Sequence, residues 1–427
     1  MESPLKKVSI LGCGIGRFGA ALLAKQKNFE VFISDKNPIE QSYKEKFLSE
    51  GINFEEDKNS IDKIFPCDIL IKSPGIPLDN EIITLAKRKN IPILDEIAFA
   101  ALYTNAKLIG ITGSNGKSTV AFMTYKILKD AGKKVEICGN MGKSLALAIY
   151  EKHDVDYFVI ELSSFQLEFF NQTHLDIACI VNISENHLDH HKTFQDYISA
   201  KHNIIKGLTA NDFFIYNGDD KNISIDTPAK KIAIGHHEIE EFDKNLLTVE
   251  GEHNIFDALL AIKICSACGV DEKISWGSLK SYKSLPHRIE FVSEVNGISF
   301  FDDSKSTTVA SAEVALDFIA KKNKQGKIIW LVGGGDKGND YTNLLKFVPY
   351  FRKIVCIGKD NKKILEVFGE DLCVEEREMK KIVEVALGLG EKGDVVLLSP
   401  ACTSLDLYKN FEQRGEKFQE EVFLLKK

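Results

Sequence analysis

The sequence predicts three successive α/β domains, and three observations predict them. Short apolar runs that read as strands alternate with helix-patterned segments along the chain, the arrangement of parallel sheets covered by helices. Several of these strands run straight into glycine-rich turns, where such sheets bind their ligands. The length of 427 residues exceeds one ordinary domain, and a hydrophobic fraction of 44% is ample for several cores.

The first domain is read as residues 1–98. Val8 to Leu11 is a short apolar strand, Gly12 to Gly19 a glycine-rich turn and Ala20 to Lys27 a helix. Strands follow at Glu30 to Ser34 and Asp68 to Lys72, the second ending in Ser73-Pro74-Gly75-Ile76-Pro77. The second domain, residues 99–285, opens with the strand Lys107 to Ile111 and the loop Thr112 to Thr119. Its further strands are Tyr157 to Glu161, Ile177 to Asn182 and Phe213 to Tyr216, and its last helix runs from Asn254 to Ala267. Pro286 interrupts any helix across Ser281 to Arg288 and marks a boundary. The third domain, residues 286–427, offers strands at Lys327 to Val332, Lys353 to Ile357 and Asp394 to Leu398.

Lys plus Arg total 55 against 62 Asp plus Glu, a formal charge of -7. That balance argues against a nucleic-acid partner, although single loops can still bind phosphate. Nine scattered cysteines suit a reducing compartment. Cys265 and Cys268 read as small core residues, because no second pair completes a zinc set. Residues 1–14 turn at once into a strand and a loop, which leaves no room for a signal peptide. No apolar run approaches the roughly 20 residues of a membrane span. A cytoplasmic monomer without membrane insertion is expected.

The strongest local signal is Ile109-Gly110-Ile111-Thr112-Gly113-Ser114-Asn115-Gly116-Lys117-Ser118-Thr119. A strand feeds a turn whose small residues let backbone N–H groups converge on phosphate oxygens, and the helix start adds a favourable dipole. Lys117 supplies a point charge for the β- and γ-phosphates, and Ser118 or Thr119 can ligate Mg²⁺. The general phosphate-loop pattern asks for glycine where this chain has Ile111. The strand-loop-helix context still favours an ATP site over a chance Gly-Lys-Ser turn.

Glu161 ends an apolar strand beside that loop. An acidic group there suits a Mg²⁺ ligand, or simply a helix N-terminal charge. Asn182-Ile183-Ser184-Glu185-Asn186-His187-Leu188-Asp189-His190-His191 follows another strand. Its three histidines suggest a transition metal at first sight, but no Cys or Glu spacing completes a set. His190 and His191 therefore read as solvated loop residues. Lys201, on a helix-patterned segment, reads by composition as a surface lysine.

In the first domain, Gly12-Cys13-Gly14-Ile15-Gly16-Arg17-Phe18-Gly19 and Asp35 carry the outline of a dinucleotide-binding unit. Counting from Gly12 and Gly14, Arg17 occupies the third glycine's place. A nicotinamide-dependent dehydrogenase is thus the weaker reading. A nucleoside diphosphate on the turn, with Asp35 near the nucleoside, uses the same physics. In the third domain, hydroxyls and cations gather at strand ends in Asp302 to Thr308, Gly333 to Gly338, Ser399 to Asp406 and Asn410 to Gly415. Together they make a pocket for a dicarboxylate amino acid, although each lysine alone reads as a solvated loop charge.

The loop Thr112 to Thr119 resembles that of the Mur ligases and the related folylpolyglutamate synthases, and the other motifs follow in the family's order. The resemblance implies a Rossmann-like N-terminal domain, a P-loop ATPase-like central domain and a Rossmann-like C-terminal domain. It implies an enzyme that activates a carboxylate with ATP as an acyl phosphate and then joins it to an amine. Gly113, Ser114, Asn115, Gly116, Lys117, Ser118 and Thr119 would hold ATP, with Asn254 meeting the adenine and Arg288 and Asp303 on the nucleotide side. Two Mg²⁺ ions would be held by Ser118, Glu161, His187 and Lys201. Lys201 would be carbamylated by CO₂, which turns an ammonium into a carboxylate-like ligand.

The first domain would bind a UDP-sugar through Gly14, Ile15, Gly16, Arg17, Asp35, Ser73, Pro74 and Gly75, helped by Asn140 and His187. The Ser73 to Ile76 loop and the third domain resemble the family's D-glutamate-adding branch. On that likeness Lys305, Thr307, Lys337, Ser404, Leu405 and Phe411 would hold D-glutamate. The acceptor would be UDP-N-acetylmuramoyl-L-alanine, a peptidoglycan precursor. The D-N-P-R motif of the diaminopimelate-adding or lysine-adding relatives is absent from the sequence. Another Mur ligase or a folylpolyglutamate synthase remains the alternative within the class.

Overall fold

The computed structural model describes residues 6–152, 154–170, 173–240, 251–282, 285–323, 326–335 and 339–425. The chain forms two compact units, Met1–Tyr282 and Lys283–Lys427.

The first unit contains two sheets. One comprises β1 (Lys7–Leu11), β2 (Glu30–Ser34), β3 (Asn53–Glu55), β4 (Ile69–Lys72) and β5 (Ile93–Leu94), in the order β3-β2-β1-β4-β5. The other comprises β6 (Lys107–Thr112), β7 (Val135–Gly139), β8 (Tyr157–Glu161), β9 (Ile177–Ile180), β10 (Phe213–Asn217) and β11 (Lys230–Ile234), in the order β11-β10-β9-β6-β8-β7. Every pairing in both is parallel. Strands buried on both faces can be continuously apolar, as Ile177–Ile180 is, because helices cover each side. The chain winds outward in opposite directions from β1 and β4, and again from β6 and β9. Ligands of such sheets bind beyond the strand ends at those reversals.

The two sheets share one core, in which the helix Ile15–Gln26 packs on the helix Leu145–Glu151. Gly19 makes that approach possible, since a Cβ there would lie 2.5 Å from Ser144 Oγ and 2.7 Å from the Leu147 nitrogen. This helix begins at Ile15, five residues before the Ala20 expected from sequence, so Gly16 and Arg17 are helical and the turn is only Gly12 to Gly14.

A buried carboxylate also crosses this seam. Glu96 accepts the Ala146 N–H at 2.5 Å, at the start of the Leu145–Glu151 helix. Burial first, then the Asp95 carboxylate, pushes Glu96 from 4.5 up to about 8. Between those values the folded chain keeps a proton that the unfolded chain has released. The contribution of Glu96 to stability is therefore full below its unfolded value and is lost as pH rises through about 8. Glu96→Gln retains the acceptor and cannot ionise. Its melting temperature is expected to exceed that of the parent at about pH 8.5, with the gap closing towards about pH 5. A gap independent of pH in thermal melts would contradict this assignment.

The second unit has one sheet: β12 (Glu290–Val295), β13 (Ile298–Asp302), β14 (Ile328–Val332), β15 (Phe351–Cys356), β16 (Cys373–Glu375) and β17 (Val395–Leu398), in the order β12-β13-β17-β14-β15-β16. One pairing departs from the parallel pattern, because β12 and β13 form an antiparallel hairpin. Asn296 and Gly297 connect them with φ of 53° and 79°, the left-handed pair that a tight two-residue hairpin turn needs. The winding direction reverses between β14 and β17.

All nine cysteines are buried and free, including Cys265 and Cys268. Among the described residues no helix is long and apolar enough to cross a membrane.

Candidate active site

The phosphate loop leaves β6 at its C-terminal end and enters the helix Lys117–Asp130. Ile111 is a fully buried strand residue in the hydrophobic core, so the glycine-bearing stretch contracts to Gly113 to Gly116. Gly116 has φ of 80°, and a Cβ there would meet Asp257 Oδ1 at 2.6 Å. Asp257 lies on the helix Glu252–Ala267, whose first turn carries Asn254. Asn182, just past β9, clamps the loop. Its Oδ1 accepts from the Ser114 N–H at 3.1 Å and the Asn115 N–H at 2.9 Å, while its Nδ2 donates to the Asn115 carbonyl at 3.2 Å. The Lys117 ammonium donates to the carbonyls of Gly113 and Ser114, both at 2.9 Å. Ser118 and Thr119 are buried in the first helical turn.

A second lysine reaches the same loop. Lys201 is on the helix Phe194–His202, started by the Thr193 side chain, which accepts the Asp196 N–H. It is 1% exposed, not the surface residue its composition suggested. Its ammonium donates to the Gly113 carbonyl at 2.7 Å and to Thr112 Oγ1 at 3.3 Å, and lies 4.7 Å from the Tyr197 ring centre. Burial, then repulsion from Lys117, holds its pKa well below the ordinary lysine value, and Glu161 opposes the shift. Glu161 is buried at the end of β8, where its Oε1 accepts from Asn140 Nδ2 at 2.8 Å. The Asn140 N–H also donates to the Glu161 carbonyl at 2.8 Å, which ties the loop after β7 to β8. Thus Lys117 and Lys201 meet at the loop after β6, and Glu161, held by Asn140, stands at the end of the adjacent strand β8.

His187 has a left-handed φ of 56° and starts the short helix Leu188–His191. Its ring lies 4.9 Å from that of Phe165 and 6.4 Å from that of Tyr197, whose hydroxyl meets Ser114 Oγ at 2.9 Å. His190 and His191 are not solvated loop residues. Both belong to that helix, and His191 is buried with Nε2 at 2.9 Å from Ser164 Oγ. Nε2 of His190 is 2.6 Å from Glu168 Oε1. Sequence spacing could not show this partner, because Glu168 arrives from the preceding loop.

The first sheet brings two loops together at its own reversal. A Cβ on Gly12 would lie 3.0 Å from Ser73 Cβ, so the loops after β1 and β4 touch. Asp35 braces the turn by accepting from the Cys13 N–H at 2.6 Å and the Asn37 N–H at 2.9 Å. Arg17 folds back over Gly14, where a Cβ would be 2.8 Å from Nη2. Its buried Nε has no hydrogen-bond partner among the described residues, a donor that a ligand anion could satisfy. Pro74 is half-buried and Gly75 exposed, while Ile15 begins the helix backbone. A cavity lined by Lys27, Tyr103, Lys107 and Tyr157 sits at the opposite, N-terminal ends of β6 and β8.

In the second unit, loops from β13, β14 and β17 meet. The Gly335 N–H donates to the Thr403 carbonyl at 2.9 Å. Asp303 is buried and accepts from Ser399 Oγ at 2.8 Å and the Ile289 N–H at 3.3 Å. Burial pushes it up to about 7, against the pull of Ser399 and then Arg288. The Lys305 ammonium lies 3.9 Å from the centre of the Phe411 ring. Ser404 is buried, Thr307 half-buried and Leu405 exposed. Lys337 falls outside the described residues.

Arg414, which the sequence did not single out, organises this end. It is 1% exposed and donates to the Ser304 carbonyl at 2.8 Å, Ser304 Oγ at 3.0 Å and the Cys402 carbonyl at 3.2 Å. An arginine one turn into an amphipathic helix looks like a surface charge until the loops packed over it are known.

Residues 7–82 match the MurD N-terminal domain, residues 111–257 the Mur ligase middle domain, and residues 287–402 the Mur ligase glutamate ligase domain. A UDP-N-acetylmuramoylalanine–D-glutamate ligase of Christiangramia forsetii is 37% identical over 446 residues, spanning 98% of this chain and 99% of its own. The chain belongs to the Mur ligase family. A ligase of the same name from Bacteroides fragilis is 38% identical over 448 residues, with coverage of 98% and 99%. The crystal structure of MurF ligase from Thermotoga maritima in complex with ADP shares the fold, with a TM-score of 0.63 at 17% identity, covering 99% of this chain and 96% of that one. UDP-N-acetylmuramate-alanine ligase MurC from the same organism gives a TM-score of 0.60 at 18% identity, with coverage of 98% and 99%. As a Mur ligase, this chain is an ATP-dependent, amide-forming enzyme of peptidoglycan precursor synthesis.

Proposed function

We propose that this Mur ligase joins D-glutamate to UDP-N-acetylmuramoyl-L-alanine through an acyl phosphate, acting in the cytoplasm as a monomer. The ATP-activation step is supported by Lys201 reaching the Gly113 carbonyl beside Lys117, with Glu161 at the end of the neighbouring strand, and the choice of D-glutamate by the relatives named for it. Residues 1–98 take the UDP-sugar, 99–285 take ATP and 286–427 take the amino acid.

A carboxylate oxygen of the terminal L-alanine attacks the γ-phosphorus of ATP, and ADP leaves. Lys117, already held beside the loop, turns its ammonium from the Gly113 and Ser114 carbonyls to the phosphate oxygens. The amine of D-glutamate then attacks the acyl carbon, phosphate leaves and the amine loses a proton. Gly113 to Thr119 cradle the phosphates, with Asn254 on the adenine. Gly14, Ile15, Gly16, Arg17, Asp35, Ser73, Pro74, Gly75, Asn140 and His187 position the UDP-sugar. Lys305, Thr307, Lys337, Ser404, Leu405 and Phe411 position D-glutamate.

The donor set beside the loop fits Mg²⁺, because a buried carboxylate oriented by Asn140 and a buried serine hydroxyl are hard oxygen donors. Ser118, Glu161, His187 and carbamylated Lys201 would hold two such ions, which would neutralise phosphate charge. Lys201 also suits carbamylation. CO₂ adds to a neutral amine with loss of a proton, and burial disfavours the ammonium form.

The test is phosphate release from ATP with UDP-N-acetylmuramoyl-L-alanine and a panel of amino acids. D-Glutamate is expected to support turnover, and release is expected to need both co-substrates. Preference for L-alanine or a diamino acid would overturn the assignment.

A further inference from the structure

Lys72 is the last residue of β4 and is 1% exposed. A buried ammonium needs close partners, since a lone one costs several kcal/mol. Lys72 Nζ lies 3.3 Å from the Pro74 carbonyl, 3.3 Å from Glu168 Oε2 and 5.0 Å from the Phe169 ring centre. The Glu168 side chain is 6% exposed, and its other oxygen, Oε1, accepts from His190 Nε2 at 2.6 Å. The His190 N–H in turn donates to the His187 carbonyl at 3.1 Å. A continuous chain of polar contacts therefore runs from the Ser73 to Gly75 loop of the first sheet to His187 of the second.

Glu168, His190 and His191 do bring three ligand-type atoms within 4.8 Å of one another. The Lys72 ammonium already stands on Glu168, however, in the role a cation would take, and a divalent ion would have to face it. Position, not metal binding, is what this arrangement achieves.

We propose that Lys72, Glu168 and His190 form a positioning relay that holds the Ser73 to Gly75 loop in register with His187, and so sets the affinity for the UDP-linked substrate. The inference rests on the reading above that this loop and His187 face that substrate. None of the three needs to touch the reacting atoms. Loss of the relay lets the loop drift, while the ATP loop and the D-glutamate pocket keep their own supports. Asn182 braces the former and Arg414 the latter.

The experiment is steady-state phosphate release by the full chain carrying Lys72→Met, Glu168→Gln or His190→Gln. Breaking a buried charged contact is expected to raise KM for UDP-N-acetylmuramoyl-L-alanine about tenfold or more in each variant. Values of KM for ATP and D-glutamate, and kcat, are expected to stay within about threefold. The double variant Lys72→Met/Glu168→Gln is expected to be no worse than its more severe parent, because one contact is lost once. Lys72→Arg is expected to recover most of the affinity.

An unchanged KM for the UDP-linked substrate in Glu168→Gln and His190→Gln overturns the relay, even if Lys72→Met does not fold. So does an equal rise in all three KM values, which would mark a merely structural role. Failure of the parent enzyme to use this substrate at all would instead overturn the function proposed above.

Discussion

Lys117→Met is expected to lower kcat for phosphate release by about 10²–10³-fold, the loss seen when a group stabilising transition-state charge is removed. The side chain is half-buried and donates to the carbonyls of Gly113 and Ser114 in its own loop, so the variant should fold. The loop itself is held by Asn182, and the Gly116 turn by its lack of a Cβ; neither depends on the ammonium. Melting temperature should therefore change little while activity collapses. Lys117→Arg tests geometry separately from charge. The planar guanidinium is bulkier than an ammonium and cannot enter the same space between two carbonyls. A kcat within tenfold of the parent in Lys117→Met, at saturating ATP, would remove Lys117 from phosphate stabilisation.

Lys201→Met and Lys201→Arg are both expected to lose about 10²-fold or more in kcat, because neither can form a carbamate to take the place of a carboxylate ligand. Charge alone does not rescue, because the ligand required is the carbamate and not the cation. The parent enzyme is expected to lose activity in CO₂-depleted buffer and regain it with bicarbonate, and the variants to ignore both. A carbon-13 carbamate resonance should appear with labelled bicarbonate in the parent only. The pH dependence has a definite sign. Only the neutral amine reacts with CO₂, and burial with the nearby Lys117 lowers the Lys201 pKa. Activity is therefore retained to lower pH than an ordinary lysine would permit, and falls once pH drops through the lowered value. Activity indifferent to CO₂ across that range would sink the carbamate and leave Lys201 as a buried ammonium.

Much of the fold was readable as alternating strands and helices. The antiparallel hairpin of β12 and β13 is legible too, since Asn296-Gly297 between two alternating runs is a strong hairpin signal. The early start of the Ile15–Gln26 helix was hidden by glycines, which weaken a helix pattern even where packing against the Leu145–Glu151 helix requires them. The sequence places His190 and His191 in solvent and the structure does not, because exposure cannot be inferred from a polar run alone. Glu168, which pairs with His190, enters from 22 residues away.

What the sequence determined by itself is chemistry carried by consecutive residues. A glycine-rich stretch between a strand and a helix is legible from consecutive residues, so Gly113 to Thr119 reads as a candidate phosphate loop without help from the rest of the chain. Tertiary structure alone decided which charges lose their water. Lys201 meets the Gly113 carbonyl across 88 residues of sequence, Lys72 meets Glu168 across 96, and Arg414 meets Ser304 across 110. Desolvation and pairing depend on those distant neighbours. The same lysine is a surface charge in one fold and a reactive buried amine in another.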